Sequence, residues 1–175
     1  LQGASLSGSS FVKAICTRVD FSDARLEEAR LRQADLSGAN LEGVNLEGAK
    51  MQRAKGDGVS LKGAQLDGAD LRQATMKGAN FSEVRMHKGW ADNADLSGAR
   101  FVRADLKKTS LRAATLVGAT FAYADLEGVD LRDADLTGAN MVGASRQSTK
   151  MQGANVTDLK NIDPDLVEAL GRGKD

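Results

Sequence analysis

Cys16 and His87 are the side chains best suited to nucleophilic or acid–base chemistry, and each is the only one of its kind in 175 residues. A lone thiol makes no internal disulfide and no multi-cysteine metal site, and a lone imidazole leaves no second one for zinc. Catalysis by Cys16 would need a base within hydrogen-bond reach, and the repeat described below puts the two residues more than three coils apart. Gly43 to Gly48 and Gly58 to Gly63 have the glycine spacing of a phosphate loop, but Ala49 and Ala64 stand where its lysine must follow. Asn80-Phe81-Ser82 and Asn155-Val156-Thr157 match the N-glycosylation sequon, which the repeat itself generates. No catalytic residue, cofactor or metal is implied. What is left is docking chemistry: Arg32, Arg53, Arg72, Arg112 and Arg132 with the single tryptophan, Trp90.

The elements that position these residues follow from a period of five. Counting from Leu1 in fives to residue 156 gives 32 positions, of which 17 are Leu, five Phe and five Met. The exceptions are Cys16, Gly56, Ala91, Arg146 and Val156. Two residues before each of these centres is a small residue, Ala at 22 of 32 places. Asp or Asn often stands just before the centre, as at Asp35, Asn40, Asp70 and Asp95, and Gly stands two after it for 15 of the 19 glycines. A helix of period 3.6 would scatter these leucines, and a long strand of period 2 would send alternate centres to opposite faces. Two inward positions in five suit one side of a coil that turns a corner at every repeat. The Asx side chain is placed to bond backbone at the bend. Gly supplies the positive φ of a type II turn.

A second period sets the number of sides. Phe21, Phe81, Phe101 and Phe121 differ by multiples of 20, and Gly38, Gly58, Gly78, Gly98, Gly118 and Gly138 form an unbroken series at 20. Four pentads per coil predict about eight four-sided coils over residues 1–160, a rod about 38 Å long at the spacing between strands. Departures occur at Gly56, at Gly89-Trp90-Ala91 and at Arg146, where distortion or an escaping guanidinium is expected. His87 follows the centre Met86 and is expected at the surface, and Cys16, itself a centre, in the interior. From residue 161 the pattern changes. Asp163 reads as an N-cap, Pro164 as the first helical residue, and Leu166 and Leu170 as the face of a short helix that covers the last coil.

Lys plus Arg and Asp plus Glu are 24 each, so the chain is neutral, which argues against binding nucleic acid by bulk charge. The charge is unevenly placed. The side centred on Phe11, Leu31, Met51, Leu71, Ala91, Leu111 and Leu131 carries Lys13, Arg30, Arg32, Lys50, Arg53, Arg72, Arg112, Arg132 and Lys150. Against these nine stand four acids, Asp70, Asp92, Asp130 and Asp133. Trp90 is on the same side. A smaller apolar patch is expected from Val102, Tyr123 and Val142. No apolar run approaches the roughly 20 residues of a membrane span. The opening Leu1-Gln2-Gly3-Ala4 has no basic or apolar leader, which reads as cytoplasmic, with a secreted or lumenal mature form or fragment left open.

Segments such as Ala34-Asp35-Leu36-Ser37-Gly38, Ala69-Asp70-Leu71-Arg72-Gln73 and Ala94-Asp95-Leu96-Ser97-Gly98 give the chain its resemblance. It resembles the pentapeptide-repeat family, whose pattern is A-(D/N)-L-x-x. That resemblance implies an all-β fold, a right-handed quadrilateral β-helix, with no catalytic residue. Family members include proteins that protect DNA gyrase and others of cyanobacterial, thylakoid, effector or adaptor type. The expected function is therefore a non-enzymatic scaffold that binds a protein partner, an acidic one, through a flat face. The alternative is a DNA mimic of the gyrase-protecting class, and a homodimer through a solenoid end is a further possibility.

Overall fold

The computed structural model describes residues 1–161, so the lid helix read from Asp163, Pro164, Leu166 and Leu170 lies outside the described residues. Every fifth residue forms one parallel bridge with the residue twenty later, from Ser5 with Arg25 to Asn140 with Lys160. Each pentad also makes one tight turn, so four turns close one coil. A three-sided coil would pair residues fifteen apart, and it is excluded. The leucine, phenylalanine and methionine centres and the small residues two before them fill the interior as one continuous core. Phe81, Phe101 and Phe121 stack in one file, with ring centroids 4.9 Å apart at each step and planes within 12°. The shared period of twenty is the cause, since it brings each ring onto the one below.

Backbone hydrogen bonds explain why five residues suffice per side. The centre and corner N–H groups donate to the next coil, as in Leu6 to Arg25 O at 2.7 Å and Gly8 to Glu27 O at 2.8 Å. The N–H of the bridging residue donates back to the previous coil, as in Arg25 to Ala4 O at 2.9 Å. The small inward residue closes the turn on the centre's carbonyl, as in Ala4 to Leu1 O at 3.1 Å. That leaves the N–H just after the centre without a backbone partner. The Asx side chain before the centre takes it, from Asp20 Oδ1 with Ser22 at 3.0 Å to Asn155 Oδ1 with Thr157 at 3.1 Å. All thirteen bridging Asx residues do so. Asp57 and Asp67 reach the same N–H one coil later, at Lys77 and His87, both at 2.9 Å.

The corners carry a correction to the glycine reading. All 32 corner residues have positive φ, but 17 of them are not glycine, among them Arg53 at 59°, Ala113 at 52° and Tyr123 at 59°. A left-handed conformation costs an L-residue about 1–2 kcal/mol. Here the turn bond and the two inter-coil bonds around each corner over-determine it, so the conformation persists without glycine. Gly38 through Gly138 line one column of corners, with φ between 63° and 67°, as their spacing predicts.

Methionine side chains fill the space left at Gly56 and Gly89. A Cβ on Gly56 would sit 3.2 Å from Met76 Cγ, and one on Gly89 would sit 2.6 Å from Met86 Cε. An unbranched thioether takes up such gaps at little cost in packing. The turn at Met86 is the one of the 32 described turns without its closing bond. Its carbonyl instead accepts from the hydroxyl of Thr109, which is 1% exposed and is satisfied by this contact. At Arg146 the turn bond to Thr149 is intact at 3.1 Å. Its Nη1 is buried and has no hydrogen-bond partner among the described residues, so the head does not fully escape to solvent.

The Asx caps tie stability to pH. The backbone N–H of Ser22 holds the Asp20 carboxyl below its ordinary 3.8, and the hydroxyl and N–H of Ser37 do the same for Asp35. A carboxylate depressed on folding stabilises the protein above its unfolded pKa, and that contribution is lost as pH falls through the folded value. Thermal unfolding followed by circular dichroism is expected to hold a level midpoint from pH 8 to about 5 and to fall below about 4. Asp20→Asn/Asp35→Asn keeps both caps without titrating, as Asn40 and Asn45 already do, and should flatten part of that fall.

Candidate functional site

The basic side has two different halves. In the C-terminal half the three arginines are matched, while Lys150 makes no ion pair among the described residues. Arg72 grips Asp70 with both arms, Nε to Oδ1 at 2.9 Å and Nη2 to Oδ2 at 2.5 Å. Arg132 holds Asp130 the same way, with Nε to Oδ1 at 2.8 Å. Arg112 lies 3.9 Å from Asp133. Asp70 is 3% exposed and also accepts Gln52 Nε2 at 2.5 Å. Burial works against its charge, but the hydrogen bonds from Arg72 and Gln52 outweigh burial and lower its pKa. For Asp130 the Arg132 side chain is the leading cause of the same lowering, with burial opposing it.

In the N-terminal half the cations are unmatched. Lys13, Arg30, Arg32, Lys50 and Arg53 make no ion pair among the described residues. The side has no acid before Asp70. Arg32, Gln52, Arg53, Arg72 and Gln73 line one recess of about 250 Å³ there. Arg53 Nε donates to Gln73 Oε1 at 2.7 Å, which fixes the arm across two coils. Three of the five arginines singled out from the sequence therefore meet at one recess, and Arg112 and Arg132 do not.

Trp90 is 43% exposed but lines a different recess, of about 530 Å³, with Glu47, Asp67, Gly68, His87 and Lys88. His87 is half-buried rather than open. Its backbone N–H donates to Asp67 Oδ1 at 2.9 Å, and its Nε2 lies 2.8 Å from Asp105 Oδ2 in poor hydrogen-bond alignment. Aspartates one coil away on either side wall it in. Cys16 is buried, and burial first, then the Asp35 charge, raises its thiol pKa. Tyr123 is 62% exposed and lies across Gly143, where a Cβ would meet its Cδ1 at 2.5 Å. Its N–H donates to Val142 O at 2.8 Å, and Val102 and Val142 are both half-buried.

The matched pairs have a sequence signal that the count of charges overlooks. Asp70-Leu71-Arg72 and Asp130-Leu131-Arg132 place acid and base on either side of one inward leucine, so both face out on the same side. Asp105-Leu106-Lys107 repeats it more loosely, at 3.8 Å.

Comparison with known proteins places this geometry. Pentapeptide-repeat models match eight copies over residues 1–38, 14–53, 57–88, 92–122, 114–145 and 121–158. The chain belongs to the pentapeptide-repeat family. Its fold is that family's right-handed β-helix. A pentapeptide repeat protein of the Arabidopsis thaliana thylakoid lumen is 32% identical, over 65% of this chain and 79% of that one, with a TM-score of 0.59. HetL of the cyanobacterium Nostoc, described as involved in regulating heterocyst differentiation, is 31% identical over 90% of this chain and 76% of its own, with a TM-score of 0.47. QnrB1, a plasmid-mediated fluoroquinolone resistance protein, is 18% identical over 97% and 88%, with a TM-score of 0.47. No curated protein matches in sequence. Among the described residues no helix is long and apolar enough to cross a membrane.

Asp70 is the hinge between the two halves, and its removal separates structure from charge. Asp70→Ala deletes the cap on Arg72 N–H, the two-armed pair and the Gln52 contact, and is expected to cost about 1–3 kcal/mol in chemical denaturation. Asp70→Asn keeps the cap and should cost less than half of that. Equal costs would place the stabilisation in the ion pair rather than in the cap.

Proposed function

We propose that this pentapeptide-repeat chain is a non-enzymatic scaffold that docks an acidic protein partner on the N-terminal half of its basic side. The observation that carries the reading is the set Lys13, Arg30, Arg32, Lys50 and Arg53, five cations with no ion-pair partner among the described residues of a neutral chain. Matched pairs such as Arg72–Asp70 lose hydration and mutual attraction when a third charge approaches. Unmatched cations lose only hydration, and they gain a charge-assisted contact. A rigid rod with fixed rows of outward side chains suits such recognition, since little side-chain or backbone order has to be created on binding.

The proposal retains the larger organisation read from the sequence, about eight coils over residues 1–160. Trp90 borders the docking side from the neighbouring recess, and the Tyr123 patch with Val102 and Val142 is the next contact surface. A solenoid end offers a route to a homodimer. The rival reading, a DNA mimic of the gyrase-protecting class, calls for an acidic face toward a basic partner, so the sign of the partner's charge separates the two.

The test is affinity capture from the native host with parent and charge-reversed chains, followed by affinities for what the parent retains. Arg32→Glu/Arg53→Glu is expected to weaken binding at least about tenfold at low salt, with added salt weakening the parent in the same direction. Arg112→Glu/Arg132→Glu should change it less than about threefold, because Asp133 and Asp130 already occupy those guanidinium groups. Trp90→Ala should cost about 1–2 kcal/mol if the indole is part of the contact. A partner that binds every variant as tightly as the parent overturns the reading.

A further inference from the structure

The recess at Arg32, Arg53 and Arg72 has a narrower chemistry than general basicity. The Arg32 side chain makes no hydrogen bond or ion pair among the described residues, and Arg53 uses Nε on Gln73 Oε1 and leaves its two Nη groups free. Gln73, its carbonyl so occupied, presents its Nε2 donors. Arg72 is held by Asp70 and so is fixed in place at the recess edge. No carboxylate lines the recess. The free polar groups are thus donors, with one exception. Gln52 Oε1 is buried without a donor, which leaves a place for one hydroxyl or water in the shell of a bound group.

The three guanidinium groups come from three successive coils, so their rows are spread over about 10 Å at roughly 4.8 Å per coil. A carboxylate has two oxygens in one plane, and Asp70 fills its acceptor positions with the two arms and backbone N–H of Arg72 and with Gln52 Nε2. A phosphate monoester has three terminal oxygens in a tetrahedral array and close to two charges near neutral pH, so it accepts from several directions at once. We infer that the recess binds a phosphate monoester, and that its source is a phosphorylated serine or threonine on the acidic partner. This rests on the proposed docking side and adds the chemical group that anchors it. Arg32 and Arg53 supply the unspent donors, Gln73 orients Arg53, and Asp70 orients Arg72.

The test is a nuclear magnetic resonance titration of the full chain that observes arginine Nε–H and glutamine side-chain signals. The probes are inorganic phosphate, an acetylated Glu-phosphoserine-Glu tripeptide amide, its Glu-Glu-Glu counterpart and a short thymidine oligonucleotide. The phosphoserine peptide is expected to shift Arg53 and Gln73 signals and to bind at least about fivefold tighter than the all-glutamate peptide. Inorganic phosphate should shift the same signals more weakly, and Arg32→Gln/Arg53→Gln should abolish the shifts while Arg112→Gln/Arg132→Gln leaves them. Both pairs of substitutions lie at the surface, and an unchanged amide spectrum confirms that each variant is folded. Equal affinity for the all-glutamate peptide overturns the inference while leaving the acidic docking side intact. Tighter binding of the oligonucleotide overturns it in favour of phosphodiesters. No shift with any probe removes both the inference and the docking side on which it rests.

Discussion

Closure of the coil after twenty residues is the constraint on which the rest of this protein depends. Each side has room for five residues only if the chain reverses sharply at every corner, and each corner demands a positive φ. Once four such corners close, every bridging residue lies over the one twenty earlier, and inter-coil hydrogen bonds fix the register. The interior then admits one large and one small side chain per side, which is why Leu with Ala recurs and why interior aromatics are few: Phe81, Phe101 and Phe121 in one file, and Phe21 with Phe11 edge-on to it near the first coils. Glycine makes the corner easy but is not required. Arg53 and Tyr123 hold the same φ because the surrounding bonds leave them no alternative. The N–H left over at each side accounts for the Asx residue, a need that geometry creates and the side chain meets.

The same closure decides which charges meet. Outward residues two apart in sequence flank a single inward residue and face the same way, so Asp-Leu-Arg becomes a two-armed ion pair within one side. Residues eighteen or twenty apart lie on adjacent coils and bond there, as Arg53 does with Gln73 and Arg85 with Asp67 at 2.8 Å. Part of the charge on this neutral surface is spent locally in such pairs. The first stretch of the basic side stands out because its cations follow one another without an acid before Asp70.

Much of the fold was legible because the two periods are independent of each other. Five sets the side and twenty the coil, and the phenylalanine and glycine columns carry the second period openly. The site was legible only in outline. Counting charges per side found the basic face but treated Arg72 and Arg132 as equal to Arg32, since a count does not see that Asp70 and Asp130 lie within reach. Trp90 and His87 were placed on a side by their phase. Yet their surroundings depend on which neighbouring coil offers an acid, and Glu47, Asp67 and Asp105 are 18 to 43 residues away in sequence. The repair of Gly56 and Gly89 by Met76 and Met86 was hidden for a similar reason, since a flexible side chain fills whatever space folding leaves.

The claim beneath the whole account is that residues twenty apart are neighbours and residues fifteen apart are not. Cysteine cross-linking in a Cys16→Ala background reads this directly. Neighbouring strands about 4.8 Å apart lie within the Cα separation that a disulfide spans. Lys62→Cys/Ser82→Cys is expected to oxidise to an intramolecular disulfide with little change in the thermal midpoint, and Lys62→Cys/Lys77→Cys to remain reduced under the same conditions. A disulfide in the second pair and none in the first would contradict a four-sided coil, and with it every assignment of charge to a side.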